Sequence, residues 1–131
     1  MSGAHLFSKE KAVAQQRKNT MRLWLDVSKA RYMVTCNPEK KIADLKTGAQ
    51  KIEAESQLPM WSTELTALTA NGAAVIQVTT VSPLIPEVSV GEIVVPEGLE
   101  ALPWTNKDRD GEMRTGIAYR AAGLKVLETV G

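Results

Sequence analysis

Hydrophobic and polar residues alternate along much of the chain, and the pattern is first clear from residue 23. Leu23, Leu25 and Val27 alternate with aromatic or polar neighbours. A period of two is typical of a β-strand, so a long first strand is predicted here, bent near residues 28–30. Asn37-Pro38-Glu39 predicts a turn that ends this strand.

The middle of the chain predicts a long connection followed by a hairpin. Residues 38–57 are polar and lysine-rich, with Thr47-Gly48 as the firm turn signal, and we expect them to pair in part as a ribbon. Residues 60–69 form a Thr-rich strand pattern, and residues 73–81 form its partner. Between them, Asn71-Gly72 predicts a type I′ turn.

Two prolines, Pro83 and Pro86, follow the third strand pattern. Proline cannot donate to a β-ladder and restricts the residue before it, so the sheet must be interrupted here. We expect an irregular or single-turn connection here rather than a helix.

The last third predicts two further strands. The fourth covers residues 92–95, is interrupted at 96–98 with Gly98 as the kink, and resumes through residues 99–104. A loop at 105–113 and a last strand at 114–127 follow. Five strands separated by turns predict an all-β chain.

Residues 1–20 have a different character and are predicted to form an arm before a single domain at 21–131. Residues 8–19 are polar and helix-forming, and Ser8 can cap their start. One interpretation is a frayed, partly helical arm with a thin apolar face. The other is a basic arm that contacts DNA backbone or a neighbouring subunit.

Composition narrows the chemistry. A chain of 131 residues fits one domain with its own core. The formal charge is only +1, so a nucleic-acid site must come from local clustering of cations. One cysteine and one histidine exclude a disulfide framework and His/Cys metal sites. With no signal peptide or apolar span in the sequence, we expect a cytoplasmic protein that does not engage membranes.

The order of signals in the last third carries a family resemblance. Val90-Gly91-Glu92-Ile93-Val94-Val95 leads to Trp104-Thr105, then to a charged loop with Asp110-Gly111, then to an arginine-bearing strand. This order resembles the end of bacterial single-stranded-DNA-binding proteins. The resemblance implies a five-stranded oligonucleotide-binding (OB) barrel and single-stranded DNA as the partner.

A second resemblance rests on Thr47-Gly48, Leu58-Pro59-Met60-Trp61 and Gly116-Ile117-Ala118-Tyr119-Arg120-Ala121. These segments look like small regulatory proteins encoded on actinobacterial plasmids and integrated mobile elements. That likeness implies a role in replication or transfer of such an element, on the same fold.

The candidate site combines aromatic and basic residues, because a sequence-tolerant single-strand binder stacks bases on aromatic rings and holds phosphates with cations. The tryptophans can also be core or rim residues, and the mixed charges an ordinary solvated surface. The predicted nucleic-acid-binding residues are Trp24, Trp61, Trp104, Lys40, Lys41, Lys46, Lys107, Arg109, Arg114 and Arg120.

Other functions find less support in the sequence. Asn106–Gly111 matches the first half of a calcium loop, but Ile117 stands where a bidentate Glu is needed. No nucleophile–base motif or phosphate loop is present, so we predict no enzyme activity, cofactor or small-molecule substrate. The alternative to DNA binding is an OB module that binds protein. In either case we expect a homo-oligomer, a dimer or tetramer, because exposed edge strands need covering.

Overall fold

The computed structural model describes residues 21–129. The predicted N-terminal arm lies outside these residues. The described chain is all-β apart from one 3₁₀ turn at Val27–Lys29. Its ten strands are β1 (Leu23–Trp24), β2 (Arg31–Lys40), β3 (Ile42–Asp44), β4 (Ala49–Gln50), β5 (Met60–Thr69), β6 (Gly72–Val81), β7 (Glu92–Glu97), β8 (Glu100–Lys107), β9 (Met113–Arg120) and β10 (Gly123–Thr129).

Eight of these strands form one curled, half-barrel sheet in the order β1-β8-β9-β6-β5-β2-β7-β10. All neighbours are antiparallel except β6 and β9, which are parallel. β3 and β4 form a separate two-stranded ribbon, as predicted for the lysine-rich connection. β7 stands near one end of the strand order and β8 near the other, yet only Gly98 and Leu99 separate them in the chain. The sheet therefore has to curl until its two ends approach.

The core lies inside this curl. Val34, Leu65, Val78, Val94 and Leu99 are at most 1% exposed and belong to one hydrophobic cluster. On β5 the buried Thr63 and Leu65 alternate with half-buried residues, whereas on β6 three consecutive residues, Val78, Thr79 and Thr80, are buried. The strand faces that carry Leu65 and Val78 line the core. Burial of this apolar face provides the main stabilisation.

The first predicted strand is divided, because the 3₁₀ turn at Val27–Lys29 separates β1 from β2, and β1 pairs with β8 whereas β2 pairs with β5. Two predicted strand ends are also wrong, and both involve proline. β2 runs through Pro38 to Lys40, and its register with β5 shifts between Cys36 and Glu39. At such a bulge a residue leaves the regular ladder, so the missing N–H of Pro38 is tolerated. β7 likewise runs through Pro96 to Glu97. The interruption falls instead at Gly98, the predicted kink, whose φ of 60° favours glycine.

The predicted hairpin between β5 and β6 is present, but its turn differs from the predicted type. Thr69 pairs with Gly72, so Ala70 and Asn71 are the two turn residues. Among the described non-glycine residues only Gln57 has a positive φ. A type I′ turn needs positive φ at both central residues, so this is not one.

The predicted fifth strand is two strands. β9 pairs with β8 and β6, whereas β10 pairs with β7, and the chain turns a corner at Ala121 and Ala122. β8 runs three residues past its predicted end at 104, and β9 begins one residue before its predicted start at 114, so the loop between them shortens to residues 108–112. Residues 82–91 form an irregular connection, as predicted, and Val88 from it is buried in the core.

β1 is a short edge strand fixed by an ion pair. Its residues pair with Ala101 and Glu100 of β8, and Leu25 N donates to Leu99 O at 2.9 Å. Arg22 binds the buried carboxylate of Glu100 through Nε and, at 2.8 Å, through Nη2. The next residue of β8 that faces this edge is Pro103, which has no N–H to offer. The pairing therefore stops after two residues.

Replacing Glu100 by Gln should release β1 in a pH-dependent way. The hydrogen bonds from Arg22 lower the pKa of Glu100, so the ionised carboxylate stabilises the fold above its unfolded pKa of about 4.3. This stabilisation is lost as pH falls through the lower, folded pKa. Urea unfolding should show E100Q less stable than wild type at pH 7, with the difference shrinking below about pH 4.

The control is Glu87→Gln, which neutralises an exposed carboxylate in the irregular connection. An E100Q stability deficit that stayed constant from pH 7 to pH 3 would contradict this account of the ion pair.

Candidate functional site

A row of side chains crosses five strands on the outer face of the sheet. Directly opposed residues share a face, so the register alone aligns them. The row contains Trp24 on β1, Glu100 on β8, Arg120 on β9, Thr79 on β6 and Ser62 on β5. Trp104 is on the same face of β8 as Glu100, four residues or about 13 Å further along the strand.

Trp104 lies flat against the sheet because its opposed residue is a glycine. Gly116 pairs with Trp104, and a Cβ added to Gly116 would stand only 2.7 Å from Cε2 of the indole. One face of the ring therefore packs on the backbone of β9. The side chain remains 44% exposed, so the ring also offers an accessible surface to a ligand.

A groove of about 370 Å³ opens beside this ring. It exists because β6 and β9 pair only at Val78–Tyr119 and Thr79–Arg120. On the N-terminal side of these pairs the two strands diverge. Residues 72–77 of β6 and residues 113–118 of β9 are not paired with each other. The groove is lined by Lys41, Ser62, Val75, Gln77, Thr79, Trp104, Ile117 and Ala118, among others.

Lys41 marks the end of the groove opposite Trp104. Its Nζ donates to Thr79 Oγ1 at 2.9 Å, and its backbone N donates to Met60 O at 3.1 Å. Partial burial lowers the pKa of Lys41, and the charges of Lys51 and Arg120 lower it further. This position gathers positive charge, which suits an anionic ligand.

Two of the predicted cations are already engaged by carboxylates. Arg120 forms an ion pair with Glu53, and Arg114 one with Asp108 at 3.4 Å. A hydrogen bond from Ser56, followed by that from Arg120, lowers the pKa of Glu53. Arg120 is only 37% exposed and its partner 20%, so this pair is partly shielded from solvent.

Trp24 borders a second, smaller pocket of about 230 Å³ at the far end of the row. The indole is 68% exposed, and the Arg22 guanidinium stands 5.8 Å from the ring centroid. Small residues, Gly98, Ala121 and Ala122, form part of the lining. Trp24 is thus an accessible ring beside two arginines, Arg22 and Arg120.

Trp61 has a different role from the other two tryptophans. It shares a strand face with the buried Thr63 and Leu65, and its Nε1 donates to Ser82 O at 2.9 Å. Trp61 therefore anchors the irregular connection after β6 rather than joining the outer-face row.

The remaining predicted cations are dispersed. Lys40 is exposed at the end of β2, Lys46 lies at the tip of the ribbon, and Lys107 ends β8. Arg109 is exposed in the 108–112 loop. The structure brings together Trp104, Lys41, Arg120 and Trp24 and leaves these four at the periphery.

Sequence reasoning did not single out Arg22, Thr79 or Gly116 as parts of the site. Gly116 did carry a signal, since an isolated glycine inside a strand pattern often marks a close approach. Arg22 and Thr79 carried none, because their importance comes from cross-strand register.

The described residues include no cluster of three or more His, Cys, Asp or Glu side chains suited to a metal ion. In the same range no helix is long and apolar enough to span a membrane. Comparisons with protein-family models, curated proteins and solved structures gave no match to this chain.

Replacing Gly116 by Val should lift the Trp104 ring off the sheet, because the new side chain needs the space that the indole occupies. Acrylamide quenching of tryptophan fluorescence measures this. Subtracting the Trp104→Phe variant in each background isolates the Trp104 signal, which should be quenched more strongly in G116V.

Thr115→Val is the matched control, since alternation along β9 points residue 115 to the opposite face. Equal quenching of Trp104 in G116V and T115V would show that Gly116 does not support the ring.

Proposed function

We propose that this protein is an OB-type module that binds single-stranded DNA with little sequence preference. In the curled sheet the first predicted segment, β2, meets both β5 and β7, and the third, β6, meets the fifth, β9. These pairings support an OB architecture, which is a partly open, five-stranded barrel. The loops that such modules use for oligonucleotides correspond here to residues 41–59 and 108–112.

The observation that carries the proposal is the pairing of an exposed, flat indole with an ammonium group in one groove. Every base has a π-face, so stacking on Trp104 is tolerant of sequence and worth roughly 1–3 kcal/mol per base. Lys41 at the other end of the groove supplies a cation for the backbone. Trp24 extends the path as a second ring on the same face.

The biological setting and assembly belong to the same proposal. The resemblance to proteins of plasmids and integrated elements suggests replication or transfer of a mobile element. β1 and β10 are the two ends of the sheet order, and their outer edges offer backbone groups to a second copy. This supports the expected homo-oligomer.

Titration with oligo-dT at several salt concentrations, followed by tryptophan fluorescence anisotropy or filter binding, tests the proposal. W104A should weaken binding roughly 5- to 150-fold, the equivalent of 1–3 kcal/mol, without changing the salt slope. K41Q should weaken binding and reduce the slope by about 0.7, the value for one phosphate contact on a single strand.

Lys125→Gln is the matched control for K41Q, because Lys125 is an exposed lysine on β10 at the opposite end of the sheet order. Failure of the wild type to bind any oligonucleotide at low salt would end the proposal.

A second candidate function, binding an extended peptide, is favoured by one observation. Where β6 and β9 diverge, each presents an unpaired strand edge, flanked by Val75 (63% exposed) and Ile117 (54% exposed). A polypeptide strand can pair with such an edge, whereas a nucleic acid cannot.

An alternating Val-Lys hexapeptide is a suitable probe for this candidate. If the groove takes peptide, amide hydrogen exchange should slow within residues 72–77 or 113–118 and stay unchanged in β10, which is a free edge at one end of the sheet order. Unchanged exchange in both segments at millimolar peptide would dismiss it.

A further inference from the structure

We propose that Arg120 and Lys41 form a subsite for one backbone phosphate, and that the carboxylate of Glu53 occupies this subsite in the free protein. The inference rests on the proposed function and adds to it a built-in competitor for the nucleic acid. The two carboxylate oxygens of Glu53 take the place of two oxygens of the phosphate group.

The two cations converge on one residue. Thr79 is directly opposed to Arg120 in the β6–β9 pairing, and its Oγ1 accepts the hydrogen bond from Lys41 Nζ. The charge of Arg120 is close enough to lower the pKa of Lys41. An anion placed over Thr79 would therefore be within the field of both side chains.

Lys41 has no carboxylate partner among the described residues, and Arg120 has only Glu53 as an ion-pair partner there. The other carboxylate nearby, Glu100, is directly opposed to Arg120 and lies within its field, but its oxygens are held by two hydrogen bonds from Arg22. Glu53 is thus the carboxylate that occupies the Arg120 guanidinium directly.

Glu53 can leave without unfolding its loop. Its backbone is fixed by hydrogen bonds from Glu53 N to Leu58 O at 2.9 Å and from Gln57 N to Glu53 O at 2.8 Å. A rotation of the side chain is enough to break the ion pair. The hydrogen bond from Ser56 gives the carboxylate a partner that does not depend on Arg120.

The exchange has a distinctive electrostatic consequence. A phosphodiester and a carboxylate each carry one negative charge, so replacing Glu53 by phosphate leaves the local charge of the subsite unchanged. Salt dependence arises when cations of the protein displace the counterions of the nucleic acid. Because Glu53 already neutralises Arg120, this arginine contributes little net attraction in the wild type.

The test is a double-mutant cycle of Glu53→Gln and Arg120→Gln, with Glu55→Gln as the control for net charge. Glu55 is an exposed carboxylate two residues away in the same connection. Binding of oligo-dT is measured from low to moderate salt. E53Q should bind several-fold more tightly than wild type at low salt, with a slope steeper by about 0.7.

The increase in oligo-dT affinity caused by E53Q should be larger than the increase caused by E55Q. It should be absent when Arg120 is also replaced, in E53Q/R120Q. If all variants bind but E53Q matches E55Q, or keeps its gain without Arg120, the subsite is refuted while DNA binding stands.

A second measurement separates this inference from the proposed function. The Arg120 Hε signal is followed by NMR during titration with inorganic phosphate in E53Q and E55Q. A shift in E53Q that is absent in E55Q supports the anion subsite even if no oligonucleotide binds. With no oligonucleotide binding and no phosphate shift in either variant, both the subsite and the proposed function fall.

Discussion

The two-residue joint between β7 and β8 is the constraint on which the rest of the structure depends. Gly98 takes a left-handed conformation there, and Leu99 enters the core at 1% exposure. β7 pairs with β2 and β10, whereas β8 pairs with β1 and β9. A joint this short forces two distant parts of one sheet together, so the sheet curls and encloses an apolar interior.

The same joint also determines how the residues of the outer face are arranged. Leu99 O accepts the hydrogen bond that docks β1, and the following residue, Glu100, binds Arg22. Because opposed residues share a face, Trp24, Glu100, Arg120 and Thr79 then form a row. Incomplete closure between β6 and β9 leaves the groove beside this row, with Trp104 flat on Gly116 at its margin.

Charge pairing explains how a nearly neutral chain can still carry an anion-binding surface in the proposed function. Of the cations on or near the row, Arg22 and Arg120 each have a carboxylate partner, whereas Lys41 is bound to a hydroxyl. The positive potential along the row therefore depends on whether Glu100 and Glu53 are paired with these arginines. Net charge is therefore a poor guide to this surface.

The sequence by itself determined the local features of this protein. Alternation of apolar residues established the all-β class. Gly98 marked the break in the fourth strand, and the two prolines after β6 marked the irregular connection. These features follow from backbone sterics and residue propensity, which act over a few positions. The tertiary structure decided everything that depends on register: Trp61 faces inward, Trp104 lies on Gly116, and Arg120 meets Glu53 across 67 positions of the chain. Strand pairing between distant segments sets which side chains share a face, and no local pattern encodes that partner choice.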